Sequence, residues 1–183
     1  MTAEAGLVVW ITGLSAVGKT TLGNRLIEDL RRLELDPIFL DGDNLREIFD
    51  LTGENSHSFE REYRLSLAMR YSKLCKLLSE QGLLVVIATI SMFSEVYKWN
   101  RINLSNYLEV HMRAPIEELK RRDPKGLYKR FDEGSLHNLA GLDLEVDEPS
   151  DADLVLDFGS GKSVKQFSEE VMSSIHERLQ FER

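Results

Sequence analysis

The chain has one cysteine, Cys75, in 183 residues. No internal disulfide can form, so the fold must rest on its core. A chain of this length buries roughly 70% of the surface its unfolded form exposes, which suffices without staples. Leu74, Leu77 and Leu78 surround Cys75 in sequence and mark it as helix core rather than a reactive thiol. Long apolar runs are missing too: none approaches the ~20 residues of a membrane span, so no membrane partner is expected. The opening residues, MTAEAG, lack a basic region followed by an apolar stretch. No signal peptide is expected, and the cytoplasm is the default compartment. Nor is there a basic excess: 23 Lys and Arg stand against 31 Asp and Glu, a net charge of −8. That argues against a non-specific nucleic-acid binder, yet a local cluster of Arg and Lys can still hold a small anion. Repeats and low-complexity linkers are absent. The expected organisation is one domain over residues 1–183, with a small lid.

What is present is alternation. LVVWIT (7–12) is a short apolar, β-branched run that reads as a buried strand. Leu22, Leu26, Ile27, Leu30 and Leu33 then follow the 3.6-residue period of a helix with one buried face. PIFLDGD (37–43) is a second apolar run ending in two aspartates. A helical pattern over 60–80 turns Leu65, Ala68, Met69, Leu74, Leu77 and Leu78 inward and stops at Gly82. LLVVIATIS (83–91) is the most strand-like run, followed by a helix over about 94–104 and the strand LEVHM (108–112). A short helix (116–122), the strand DLVLDF (153–158) and an amphipathic helix (163–179) complete the pattern. Strands alternating with helices predict an α/β fold, a parallel sheet covered on both faces. Residues 123–152 break the pattern, being polar and poorly periodic, as a lid or binding loop would be.

GLSAVGKT (13–20) fits G-x-x-x-x-G-K-[ST] between a strand and a helix. Glycines let successive backbone N–H groups turn inward, and the helix N-terminus adds partial positive charge. Lys19 reaches the β- and γ-phosphates, and the Thr20 hydroxyl is the metal ligand for Mg²⁺. The motif announces a nucleoside triphosphate and no more. No asparagine is followed by Lys, so the N-K-x-D motif of a switch GTPase is absent. The strand 83–91 carries no acid, unlike that of a motor-type ATPase. A small-molecule kinase remains.

GLSAVGKTTL, DGDNLR, GLLVVIATIS and RDPKGLYKR occur in this order, and together they resemble the adenylylsulfate (APS) kinase family over residues 7–158. The resemblance implies a P-loop nucleoside-triphosphate kinase fold, with a five-stranded parallel sheet, helices on both faces and a small lid. It implies transfer from ATP, with Mg²⁺, to the ribose 3′-hydroxyl of a small-molecule nucleotide. Asp43, at the C-terminal end of a strand where open α/β sheets bind ligands, is by resemblance the catalytic carboxylate, working with Lys19 and Lys125. Gly13, Ser15, Ala16, Val17, Gly18, Lys19, Thr20 and Thr21 are the expected ATP-binding loop, joined by Arg122. Arg121 is its neighbour, and the sequence does not decide between them. On the acceptor side stand Asp41, Asp43, Arg46, His57, Arg61, Arg64, Ile90, Ser91, Lys125 and Leu139, with Arg46 expected to hold the anionic 5′ group. Arg61 and Arg64, three apart, share a helix face. The family often dimerises. Met92, Tyr97 and Trp99 could form an apolar patch for a homodimer, or could equally be core.

The chain departs from the family in places. Arg64 stands where members usually have Asn. Met92 stands in ISMF where the family commonly has Pro. Members often sandwich the acceptor's adenine between two phenylalanines, and here those positions hold His57 and Leu139. Stacking a base on an aromatic ring is worth ~1–3 kcal/mol, so losing both faces weakens the case for adenine. His57, Phe59 or Phe131 could still supply a ring. Adenylylsulfate is one expected acceptor. Cytidine diphosphoramidate, phosphorylated at its 3′-hydroxyl in a polysaccharide-pathway branch that FSEVYKWNR resembles, is the alternative. A nucleotide-binding regulatory relative without turnover is the third possibility.

Overall fold

A computed structural model describes residues 5–49 and 61–179. Along the chain run β1 (Val8–Thr12), α1 (Lys19–Arg32), β2 (Ile38–Asp41), α2 (Gly42–Ile48), α3 (Arg61–Ser79) and β3 (Val85–Ala88). Then follow α4 (Ser94–Asn103), β4 (Tyr107–Arg113), α5 (Ile116–Arg122), α6 (Leu127–Asp132), β5 (Leu154–Asp157) and α7 (Val164–Leu179). The five strands form one sheet in the order β2-β3-β1-β4-β5, every neighbouring pair parallel.

Parallel strands need both faces covered, and β1 shows how one strand serves two cores. Val9 and Ile11 point to one face, where they meet Leu22, Leu26 and Leu30 of α1 and Phe167, Val171 and Ile175 of α7. Val8 and Trp10 point to the other, against Ala68, Tyr71 and Cys75 of α3 and Val96 of α4. Cys75 is buried, and burial pushes its thiol up to about 12, which suits inert core.

Three sequence expectations change. The run 83–91 is strand only over Val85–Ala88, because the chain then turns out of the sheet. Thr12 donates its hydroxyl to the Ile90 carbonyl, Thr89 and Ser91 share a hydroxyl hydrogen bond of 2.8 Å, and Ser91 adopts φ 31°. Leu77 is 58% exposed, since α3 buries the stripe Leu67, Ala68, Tyr71, Ser72 and Cys75 instead. Residues 123–152 are not structureless: they contain α6 and a β-bridge between Ala140 and Leu144. Of the two readings open for Met92 and Tyr97, the fold gives core: they are 1% and 7% exposed. Among the described residues, no helix is long and apolar enough to cross a membrane.

Candidate functional site

The C-terminal ends of the strands open onto a cavity of about 1250 Å³. Four stretches of chain build it: the β1–α1 loop, the β2–α2 junction, the inner face of α3 with the chain after β3, and the segment from Arg122 to Val146.

The β1–α1 loop owes its shape to backbone freedom. Gly13 lies at φ 149°, and a Cβ there would sit 2.2 Å from the Met112 carbonyl oxygen. Gly18 at φ 101° opens α1, with Ala16 also in the left-handed region. Tyr128 of α6 donates its hydroxyl to the Ser15 carbonyl at 3.2 Å, tying α6 to the loop. Lys19 folds back onto the Leu14 carbonyl at 2.8 Å. Burial pushes its ammonium down to about 8, offset only in part by Asp43. Ser15, Ala16, Gly18, Lys19, Thr20 and Thr21 line the cavity. Val17 is buried beneath the loop, and Gly13 supports it from the strand end.

The β2–α2 junction is an N-cap. Asp41, in extended conformation, accepts the Asp43 N–H at 2.8 Å, which is the capping bond that starts α2. Its second oxygen accepts the Thr20 hydroxyl at 2.7 Å. The cap therefore fixes β2 to the phosphate-loop helix and aims Asp43 into the cavity. Asp43 pairs with Lys125, and Arg46 lies 3.8 Å from its other oxygen. Burial alone would raise the Asp43 carboxyl. The hydrogen bond and charge of Lys125, aided by Arg46 and Lys19, outweigh it and hold the group below the usual carboxylate range. A carboxylate so held stays ionised and can orient a hydroxyl donor.

The remaining predicted residues separate into those the fold brings to the cavity and those it does not. Arg46, Arg64, Ile90, Ser91, Arg122, Lys125 and Leu139 line it. Arg122 is held at 2.7 Å by Glu118 and lies over the Phe158 ring, 4.8 Å from its centroid. Arg121 also bonds Glu118 but is 73% exposed and does not line the cavity, so of the two the fold brings Arg122 to it. Arg61 is not a lining residue. It stacks over Phe93 and faces Glu95 and Asp147 at 3.4 and 3.3 Å. Phe131 packs against the core on the α1–α7 side of the sheet and does not line the cavity. His57 and Phe59 lie outside the described residues.

Several site residues escaped the sequence reading. Tyr63, Leu67 and Tyr71 line the cavity from one face of α3, and their spacing of four was a visible signal. Glu118, at i−3 and i−4 from the two arginines, was visible in the same way. Tyr128 and Phe158 were not, because their partners lie far away in sequence.

No cluster of three or more His, Cys, Asp or Glu among the described residues could hold a metal unaided. The Thr20 hydroxyl and Asp41 carboxylate are hard oxygen donors beside the phosphate loop. That donor set fits Mg²⁺, which takes one or two protein ligands and fills its sphere with phosphate oxygens and water.

Comparison with known proteins gives the same picture. Residues 5–157 match the profile of the family described as adenylylsulphate kinase. Cytidine diphosphoramidate kinase of Campylobacter jejuni is 41% identical over 149 residues, covering 81% of this chain and 84% of the relative. Adenylyl-sulfate kinase of Pseudomonas aeruginosa is 35% identical over 152 residues, covering 82% and 76%. The APS kinase of Mycobacterium tuberculosis, solved with AMPPNP and APS, superposes with a TM-score of 0.83 at 29% identity, over 94% of this chain and 99% of that one. With its profile match, its relatives and its five-stranded parallel sheet in agreement, the chain belongs to the adenylylsulphate kinase family of phosphotransferases.

Proposed function

We propose that the chain transfers the γ-phosphoryl group of ATP to the ribose 3′-hydroxyl of a 5′-modified nucleotide, and that this acceptor is of the cytidine diphosphoramidate kind. The observation that carries the proposal is convergence: the phosphate loop, the Asp43–Lys125 pair and Arg122 face one cavity from three parts of the chain. A regulatory protein that only binds nucleotides needs the loop but not the ion pair opposite it.

The geometry supports the following roles. Backbone N–H groups of residues 15–20 at the start of α1 cradle the β- and γ-phosphates. Lys19 leaves the Leu14 carbonyl for these oxygens, and their charge restores its proton affinity. The acceptor hydroxyl donates to the ionised Asp43, which turns its oxygen toward the γ-phosphorus. The new O–P bond forms as the bond to the β-phosphate oxygen breaks, and the hydroxyl proton passes to Asp43 late, as a loose transition state permits. Lys125 and Arg122 neutralise charge on the moving group. Thr20 and Asp41 would hold Mg²⁺, which supplies further charge neutralisation on the phosphates. Residues 123–152 form a lid beside the cavity, which they line from Pro124 to Val146.

Two facts favour a cytidine acceptor. The Campylobacter relative so named is 41% identical, against 35% for the Pseudomonas adenylyl-sulfate kinase. Leu139, an aliphatic side chain, forms the wall where the resemblance implies a phenylalanine. Adenylylsulfate is the second reading, favoured by the superposition on the Mycobacterium enzyme solved with it. A coupled ADP-release assay with ATP, Mg²⁺ and either acceptor separates the two. Cytidine diphosphoramidate is expected to give a kcat/KM at least about tenfold higher, the 1.4 kcal/mol of one weak base contact. A preference for adenylylsulfate overturns the acceptor assignment, and no acceptor-dependent ADP from any 5′-modified nucleotide overturns the kinase proposal.

A further inference from the structure

The two arginines at the start of α3 have different partners. Arg61 turns outward to Glu95 and Asp147. Arg64, one turn on, enters the cavity and donates to the Asn138 carbonyl at 2.9 Å. Asn138 begins a loop that closes on itself. The Asp143 carboxylate accepts the N–H groups of Asn138 and Leu139 at 2.8 and 2.6 Å, and the Leu144 N–H returns to the Leu139 carbonyl at 3.3 Å. Asn138 sits at φ 57°, in the left-handed region that asparagine tolerates better than most side chains. The loop rests on the phosphate loop: a Cβ on Gly141 would lie 2.7 Å from the Leu14 side chain. Residues 138–144 are thus a preformed strap, seated on the phosphate loop at one point and tied to α3 by Arg64, with Leu139 turned to the cavity.

Arg64 is also an electrostatic oddity. It is partly buried and shares the cavity with Arg46. Burial pushes its guanidinium down to about 10, the charge of Arg46 adds to this, and Asp143 offsets it in part. In the ligand-free protein each guanidinium has an acid near it, Asp43 at 3.8 Å from Arg46 and Asp143 facing Arg64, and both line the same cavity. A dianion bound by both guanidiniums would favour their charged forms.

We propose that Arg64 is the specificity-determining residue of the acceptor site: it fixes the 138–144 strap as the acceptor wall and, with Arg46, forms a two-guanidinium subsite for a diphosphate-like 5′ group. The proposal rests on the nucleotide-kinase function above and goes beyond it, because it names the residue that distinguishes a 5′ group with two phosphorus centres from one with a single phosphate. Arginine suits the task, since its planar fork bonds a carbonyl and an anion at once.

The test is calorimetric binding of CDP and CMP to the whole chain saturated with AMP-PNP and Mg²⁺, for wild type, Arg64→Met, Arg64→Gln and Arg64→Lys. Wild type should bind CDP at least about tenfold more tightly than CMP. Arg64→Met and Arg64→Gln should lose most of that ratio while keeping AMP-PNP affinity within about twofold and the ligand-free Tm within about 4 °C of wild type. Arg64→Lys should restore part of the ratio. Three results overturn the proposal: an unchanged CDP/CMP ratio in both neutral variants, parallel loss of AMP-PNP affinity and Tm, or wild type that binds neither nucleotide. Wild-type ADP release with an acceptor is measured alongside. If CDP discrimination depends on Arg64 but no acceptor is phosphorylated, the kinase proposal fails and the Arg64 subsite stands.

Discussion

Replacing Asp43 by Asn should separate catalysis from folding. Its carboxylate pairs with Lys125 and lies near Arg46, but the side chains of Asp43 and Lys125 are each about half exposed. Solvent screens such a pair, so its loss should cost the fold no more than about 1 kcal/mol. For a chain of this size that is a fall in Tm of roughly 2–4 °C. Catalysis should suffer more. A positioned carboxylate contributes about 10²–10⁴-fold. Asparagine still offers one oxygen to the acceptor hydroxyl but cannot take its proton or balance Lys125, so kcat should fall about 10²–10³-fold, or ~3–4 kcal/mol at 1.36 per decade. The KM for ATP should move little, because the phosphate loop is untouched. The pH profile adds a signed check. Lys125, Arg46 and Lys19 hold the Asp43 carboxyl below its usual range. The active, ionised form therefore persists toward the low end of the carboxylate range, and wild-type kcat should show no loss from this group down to about pH 4. Coupled ADP release over pH 4–8, with a thermal melt of each variant, reads all of this. A kcat within threefold of wild type would refute the assigned role, and a Tm loss above about 8 °C would show that Asp43 serves the fold instead.

The lowered Lys19 gives a proton-linkage prediction: above about pH 8 the ligand-free lysine is largely neutral, and a bound triphosphate should draw a proton onto it. Calorimetry of ATP binding at pH 8.5 in two buffers of different ionisation enthalpy should show uptake, and Lys19→Arg should abolish it. For folding the sign is the reverse of a paired lysine's: the unfolded chain holds this proton more tightly, so stability should rise between about pH 8 and the ordinary lysine value. Arg101→Met should leave Glu109 of β4, 1% exposed and bonded to Arg101 at 2.6 Å, without its charge partner. Urea unfolding should show a loss of about 2–4 kcal/mol at pH 7, partly recovered near pH 5, because burial raises the Glu109 carboxyl and the native state gains a proton first. Gly13→Ala forces a Cβ against the Met112 carbonyl at an unfavourable φ; about 1–3 kcal/mol of stability and most ATP binding should go together.

Much of the fold could be read from periodicity, because the strands of a doubly covered sheet are uninterrupted apolar runs. The phosphate loop could be read because its chemistry is local: two glycines, a lysine and a hydroxyl at fixed spacing. What escaped depends on distance. α2 starts from a bond between Asp41 and Asp43 that the sequence equally offers to a solvated turn. The strand 83–91 ends early because Thr12, from a different strand, takes the Ile90 carbonyl. The pattern of α3 shows leucines on more than one side, and only packing decides that Leu77 faces solvent. Arg61 and Arg64 share a helix face, yet the 138–147 segment gives one an acid and the other a carbonyl at the cavity wall.

The central claim is phosphorylation of a ribose 3′-hydroxyl, and the position of the new phosphate tests it most directly. Cytidine diphosphoramidate incubated with the protein, ATP and Mg²⁺ should give a product whose new phosphorus couples to H3′ of the ribose in a phosphorus–proton correlation spectrum. Coupling to H2′, or to the 5′ chain, would contradict the account.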